Sequence, residues 1–428
     1  MIDRLPDNRF CDKLVHEHLG QSDSISEQMS RRAFLQRGVA GTCGLGLLAL
    51  LGQSGRSLFS GLGAQPAFAQ DEAALLKNAV AEKSDKYVAE ARFYDKLPEL
   101  KVKCMLCPRE CQVANRERGY CGVRENHSGE YKTLVYNRPC TATPDPIEKK
   151  PLFHFLPGSA AYSIATAGCN IECKFCQNWQ ISQFRPEQVA SIYLVPEDIV
   201  SLAKQNNCKS IAYTYSEPVI FYEYMYDIAA LGKKQGVYSV IVSNGYINEK
   251  PMRELCKVLT AVKIDFKAFT EKFYHDTCSG ELQPVLKTLD TLADIGIWTE
   301  LVVLIVPTLN DSEDEIRDMS KWIVAHMGKN VPVHFTRFHP TYKIRNLPST
   351  PVKTLERSRE IAMAEGIHYA YVGNIWGHKG ENTFCPKCST IVVERYGYRI
   401  NAIRLNHGKC EKCGELIPGL WTEDQIHA

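Results

Sequence analysis

Eleven of the 17 cysteines in this 428-residue chain fall into three short-spaced groups, and that clustering limits the fold more than any other feature. An odd cysteine total in a chain of this length does not describe a disulfide framework. Short spacings describe ligation of metal ions or clusters. The formal net charge of +2 carries no polyanion-binding signature, so nucleic acid is set aside as a partner.

The middle group is Cys169, Cys173 and Cys176, spaced C-x3-C-x2-C directly after a strand-like run. Three thiolates on one tight loop can hold three irons of a cubane. No fourth cysteine follows locally, and an open iron is what a chemically active cluster requires. A zinc knuckle and a cubane with a distant fourth cysteine are the alternatives. Cys104, Cys107, Cys111 and Cys121 form a second set in a Pro/Gly-rich segment, suited to structural zinc or to an auxiliary iron–sulfur cluster, with free thiols as the alternative. Cys385-x2-Cys388 and Cys410-x2-Cys413, 21 residues apart, read as one tetrahedral site for zinc or rubredoxin-type iron. Cys11, Cys43, Cys208, Cys256 and Cys278 read as packing or signal residues, and Cys140 is ambiguous.

Strand-like runs at 162–167, 210–214, 238–242, 261–266, 299–305, 332–337 and 368–372 alternate with helical stretches. That alternation describes parallel strands with crossover helices. The fold class is therefore α/β, a partial TIM-type (β/α)6 barrel with its active groups at the C-terminal ends of the strands. An N-terminal Cys-rich segment and a small C-terminal metal ribbon flank it. The expected division is 1–69 as signal, 70–158 as a helical and Cys-rich region, 159–380 as the barrel and 381–428 as the four-cysteine module. Residues 70–98 read as charged helix on the surface.

Arg31 and Arg32 precede an apolar run over 38–52, and Ala67-Phe68-Ala69 supplies a small-x-small cleavage pattern. This is the composition of a twin-arginine (Tat) export signal. The run is too short for a membrane span, which takes about 20 residues. The expected location is periplasmic or extracytoplasmic, with clusters assembled in the cytoplasm; an unused signal would leave the protein cytoplasmic.

The motif C-x3-C-x-Φ-C, with Phe175 as the aromatic, resembles that of the radical S-adenosylmethionine (SAM) superfamily. The stretches Asp145-Pro146-Ile147-Glu148-Lys149-Lys150, Cys176-Gln177-Asn178-Trp179 and His334-Phe335-Thr336-Arg337-Phe338-His339-Pro340 resemble the radical SAM component of the AmmeMemoRadiSam group, which is similar to pyruvate formate-lyase activating enzymes. The resemblance implies a 4Fe–4S cluster on Cys169, Cys173 and Cys176, SAM as cosubstrate, a one-electron donor and a deoxyadenosyl radical that abstracts hydrogen. By analogy with the activating enzymes, a protein is the candidate substrate.

The resemblance also assigns further contacts. Glu217 occupies the position that holds the SAM amino group, although the glycines usual before it are missing; a cap on the next helix is its structural alternative. Ser243 and Asn244 end the third strand and are within reach of SAM, unless they only make a β-to-α turn. Asp265 and Lys267 share a strand face and match an Asp-Leu-Lys element with Phe for Leu, the alternative being a structural ion pair. His334, Arg337 and His339 line the end of the sixth strand as candidate contacts or as a polar rim. The rival to an enzyme is an exported iron–sulfur electron-transfer or assembly protein that no longer turns over SAM.

Overall fold

The computed structural model describes residues 86–427. The proposed export signal and residues 70–85 lie outside the described residues.

Seven parallel strands alternate with six helices, as the hydrophobic pattern demands, and an eighth, antiparallel strand precedes them. We label the strands β1 (Thr141–Pro146), β2 (Ala160–Ala165), β3 (Ser210–Tyr213), β4 (Tyr238–Ser243), β5 (Ala261–Asp265), β6 (Trp298–Ile305), β7 (Val333–Arg337) and β8 (Ala370–Gly373). The crossover helices are α1 (Pro196–Gln205), α2 (Tyr222–Lys234), α3 (Glu249–Cys256), α4 (Leu282–Ile295), α5 (Glu313–Met327) and α6 (Val352–Ala364). Strands β2 to β8 pair in sequence order, each parallel to the next, and β1 closes the series antiparallel to β2. The result is an α/β fold on one large mixed sheet.

Its strands are nearly continuous apolar runs. Ile211, Val240, Ile241, Val262, Ile264, Leu301, Val303 and Phe335 are all fully buried. That is the pattern of a parallel sheet covered on both faces. Strand β1 had no strand signature, because it contains Pro144 and Pro146. Proline cannot donate to a ladder and is confined to sheet edges, which is where β1 lies.

The helical expectation for 70–98 fails where it can be checked. Ala89–Glu90 and Tyr94–Lys96 are short strands, paired with Glu130–Thr133 and Val102–Cys104. Between them Ala91 is buried and Phe93 packs edge-on against Tyr222 at 5.2 Å. Burial of Ala91 and the packing of the half-buried Phe93 override a charged composition that favours helix. A buried ion pair between Arg124 and Glu223, 2.5 Å apart, fixes the Cys-rich segment to α2.

At the other end a three-stranded antiparallel sheet (Thr383–Phe384, Ile391–Tyr396, Arg399–Ile403) and a separate two-stranded pair (Leu405–Asn406, Lys409–Cys410) carry the last cysteines. The larger sheet docks through Arg395, fully enclosed, which donates to Phe153 O at 2.7 Å. Tyr371 of β8 and Thr383 share a hydrogen bond of 2.8 Å. Among the described residues no helix is long and apolar enough to cross a membrane.

Candidate active site

The loop that leaves β2 turns sharply at Gly168, whose φ of +103° favours glycine. A Cβ there would lie 2.6 Å from Val123 Cγ1 and 2.9 Å from Cys121 O. The turn delivers Cys169, Cys173 and Cys176 to one cavity of about 530 Å³ at the C-terminal ends of the strands. Cys169 and Cys176 each accept a backbone N–H, from Ile171 and Asn178. Cys176 Sγ also lies 3.2 Å from Ser182 Oγ.

The three thiols differ electrically. Burial pushes Cys169 and Cys176 above the usual thiol value. Cys173 is held below it, because the Cys278 thiol bonds to it and the Lys267 ammonium is near, and together these outweigh its burial. Cys278, expected to be a packing residue, therefore sits beside a member of the triad. It closes the helical turn Tyr274–Cys278, against which the triad loop is hydrogen-bonded: Glu172 N to Cys278 O and Lys174 N to Thr277 O, both 2.9 Å.

Glu217 lines the same cavity and is buried. Its Oε1 accepts from Val219 N at 3.0 Å and Ser243 Oγ at 2.7 Å, and its Oε2 from Asn244 N at 2.8 Å. It thus caps the turn Pro218–Phe221 and also faces the cavity. An ionised carboxylate has about four acceptor sites, so these three bonds leave room for one more donor. Burial raises its pKa to about 7 despite the three hydrogen bonds. Ser243 is fully enclosed behind Glu217 and is not among the cavity-lining residues. Asn244 does line it, with Nδ2 donating to Asn170 Oδ1 at 2.9 Å and lying 3.9 Å from Cys169 Sγ.

Asp265, the last residue of β5, and Lys267, two residues past its end, both reach the cavity, 3.4 Å apart. Lys263, two residues earlier on the same face, pairs with the other carboxylate oxygen of Asp265. The strand alternation that linked Asp265 to Lys267 reaches Lys263 equally well. One carboxylate between two ammonium groups leaves this wall net positive. Phe175 is buried with Lys267 Nζ 5.8 Å from its ring centre. His334 lines the cavity deeper down, bonded to the buried Glu300 at 2.8 Å. Arg337 donates instead to Thr350 O at 3.0 Å. His339 is exposed, bonded to Ser349 at 3.0 Å, and is not a cavity-lining residue.

Two residues to which the sequence motifs assigned no role organise the site. Asn170 joins the triad loop to the loop after β4, donating to Tyr246 O at 2.7 Å. Asp145 accepts from Lys149 at 2.7 Å, Lys150 at 2.8 Å and Ser163 at 2.7 Å, and pairs with Tyr215. Burial would raise its carboxyl, but Lys150 and Lys149 prevail and hold it at about 2.

The radical SAM superfamily profile matches residues 163–323, the span from β2 through α5. A protein of Methanocaldococcus jannaschii, described only as uncharacterized, is 43% identical over 330 residues, which is 77% of this chain and 98% of that one. The chain belongs to the radical SAM superfamily. Similarity extends to the pyruvate formate-lyase-activating enzyme of Clostridium pasteurianum, 23% identical over 181 residues, 40% of this chain and 72% of that one. A solved domain of a pyruvate-formate lyase-activating enzyme from Bacteroides vulgatus aligns with 38% of the chain and 98% of its own length, at 14% identity and a TM-score of 0.35. Membership implies a 4Fe–4S cluster and SAM. The radical SAM triad fits the cluster, because three soft thiol ligands face one cavity.

The last four cysteines form a separate centre. Their ligand sulfurs all lie within 4.8 Å of one another. Cys385 and Cys413 are 3.5 Å apart, and Cys388 and Cys410 3.7 Å. A tetrahedral ion with bonds of about 2.3 Å sets its thiolates about 3.8 Å apart, so the set fits one zinc or one iron.

Proposed function

We propose that this radical SAM enzyme cleaves SAM reductively at a 4Fe–4S cluster on Cys169, Cys173 and Cys176. The observation that carries the reading is the shared cavity: three thiols, the Glu217–Asn244 wall and the Lys263–Asp265–Lys267 wall face one space. When bound and reduced, the cluster supplies one electron to the SAM sulfonium, and C–S cleavage gives a deoxyadenosyl radical that takes hydrogen from substrate. The chain's own residues bind and orient. The free acceptor site on Glu217 suits the SAM ammonium. The net positive β5 wall suits a carboxylate. The enclosing sheet, curled as a partial barrel, keeps water from the reacting atoms.

The activating-enzyme relatives point to a polypeptide as the hydrogen donor, and an electron donor protein must supply the reductant. Residues 159–380 form the catalytic unit in this reading, and 381–428 a metal-stabilised module. The test is anaerobic incubation of the reduced, reconstituted full chain with SAM. Deoxyadenosine should accumulate, and Cys169→Ala, Cys173→Ala and Cys176→Ala together should abolish both that product and the SAM-induced change in the cluster's EPR signal. An intact cluster that yields no deoxyadenosine would point instead to an electron-transfer or assembly role.

A further inference from the structure

We propose that Cys104, Cys107, Cys111 and Cys121 hold a second four-iron cluster, not a single metal ion. The inference goes beyond the SAM-cleaving reading, since its ligands take no part in that site.

The four cysteines come from separate turns of the N-terminal segment, yet all line one cavity of about 20 Å³. Tyr120 N–H donates to Cys111 Sγ at 3.5 Å, and the backbone N–H groups of Leu106, Arg109 and Val123 act on Cys104, Cys107 and Cys121 in the direction that favours thiolate, although burial, the larger effect, raises all three thiols. Cysteines that only pack behave in the opposite sense. Cys208 donates to Asn206 O at 3.7 Å and Cys256 to Met252 Sδ at 3.8 Å. Amide donors aimed at sulfur stabilise thiolate, the form that binds metal. All four N-terminal cysteines therefore have the acceptor role expected of ligands.

Spacing separates a cluster from an ion. Among the described residues only the C-terminal set brings its sulfurs within 4.8 Å of one another. The N-terminal sulfurs stand around a gap instead. A single tetrahedral ion sets its four thiolates about 3.8 Å apart, and no three of these sulfurs lie within 4.8 Å of one another. A cubane suits the wider spacing, because each sulfur binds a different iron at a corner of a larger tetrahedron. Four thiolates leave no iron open, so this centre holds charge or structure and does not bind SAM.

Its surroundings suit an anionic cluster. Arg109 and Arg124 both line the gap, Arg124 in its buried ion pair with Glu223. Arg109 stacks over the half-exposed Tyr120, with its guanidinium carbon 3.6 Å from the ring centre. Arg109 Nε also donates to Asn170 O at 2.6 Å, and Cys121 O lies against Gly168. The second site is thus one chain thickness behind the triad loop.

The test is iron and acid-labile sulfide analysis of the full-length triple variant Cys169→Ala, Cys173→Ala, Cys176→Ala after anaerobic reconstitution. About four sulfides per chain should remain, and adding Cys107→Ser with Cys111→Ser should remove them. Sulfide separates a cubane from the C-terminal ion, which brings none. Two zinc ions per chain without sulfide, or free N-terminal thiols, would overturn the proposal. Should the triple variant fail to fold, the comparison moves to the wild-type triad. There Cys107→Ser should halve the sulfide content from about eight to about four, and an unchanged content would sink the idea. A wild type that makes no deoxyadenosine while the triple variant keeps its four sulfides would defeat the SAM-cleaving reading and leave this one standing.

Discussion

Burial and hydrogen bonding pull against each other at Glu217, and burial prevails, moving the carboxyl from the ordinary 4.5 to about 7. The folded chain therefore binds more protons than the unfolded chain between pH 4.5 and 7. Stability must fall as pH rises through that window, and the penalty is complete above it. Glu217→Gln removes this contribution. The stability of wild type relative to the Gln variant should drop by on the order of 3 kcal/mol between pH 4.5 and 8. Chemical denaturation of the two proteins at several pH values measures it, and parallel curves would refute it. The residue itself was legible in the sequence, because it follows strand β3. Its double role as cap and cavity wall was not, since Ser243 and Asn244 approach it from another strand.

At the scale of elements, the β2 turn sets the site. Gly168 combines a left-handed φ with close approach to Cys121 O and Val123. Gly168→Ala must move backbone as well as side chain, so we expect a loss of about 2 kcal/mol or more. Thermal unfolding should show it, together with reduced iron at the triad after reconstitution; a variant with wild-type stability and iron content would mean that the loop relaxes freely. The seven parallel strands were legible because each is a short apolar run between helices. Strand β1 was not, because its two prolines look like loop and only the free edge of β2 makes it a strand.

At the scale of the whole molecule, the C-terminal module shares its core with the sheet. Phe153, Tyr369 and Tyr371 pack with Val392, Val393 and Trp421 of the module. Loss of its metal should therefore unsettle the main domain as well. Cys388→Ser with Cys410→Ser should remove about one metal ion per chain and lower the thermal midpoint by ~5 °C or more; an unchanged midpoint would mark the module as independent. We also propose that the twin arginine drives export. Arg31→Lys with Arg32→Lys should retain the protein in the cytoplasm with clusters intact, as cell fractionation would reveal, and unchanged export would exclude the signal.

By itself the sequence determined what depends on spacing along the chain. The triad, the two CxxC pairs and the order of strands and helices follow from local periodicity and from ligand geometry within a few residues. Only the tertiary structure decided what depends on which segments meet. Cys278 lies 105 positions after Cys173 yet bonds to it. Glu217 is fixed from β4, His339 is turned away to Ser349, and the N-terminal thiols are gathered behind the triad loop. The physical reason is that a parallel sheet brings strand ends together across intervening helices, so the neighbours of a side chain at those ends are set by sheet order and not by sequence distance.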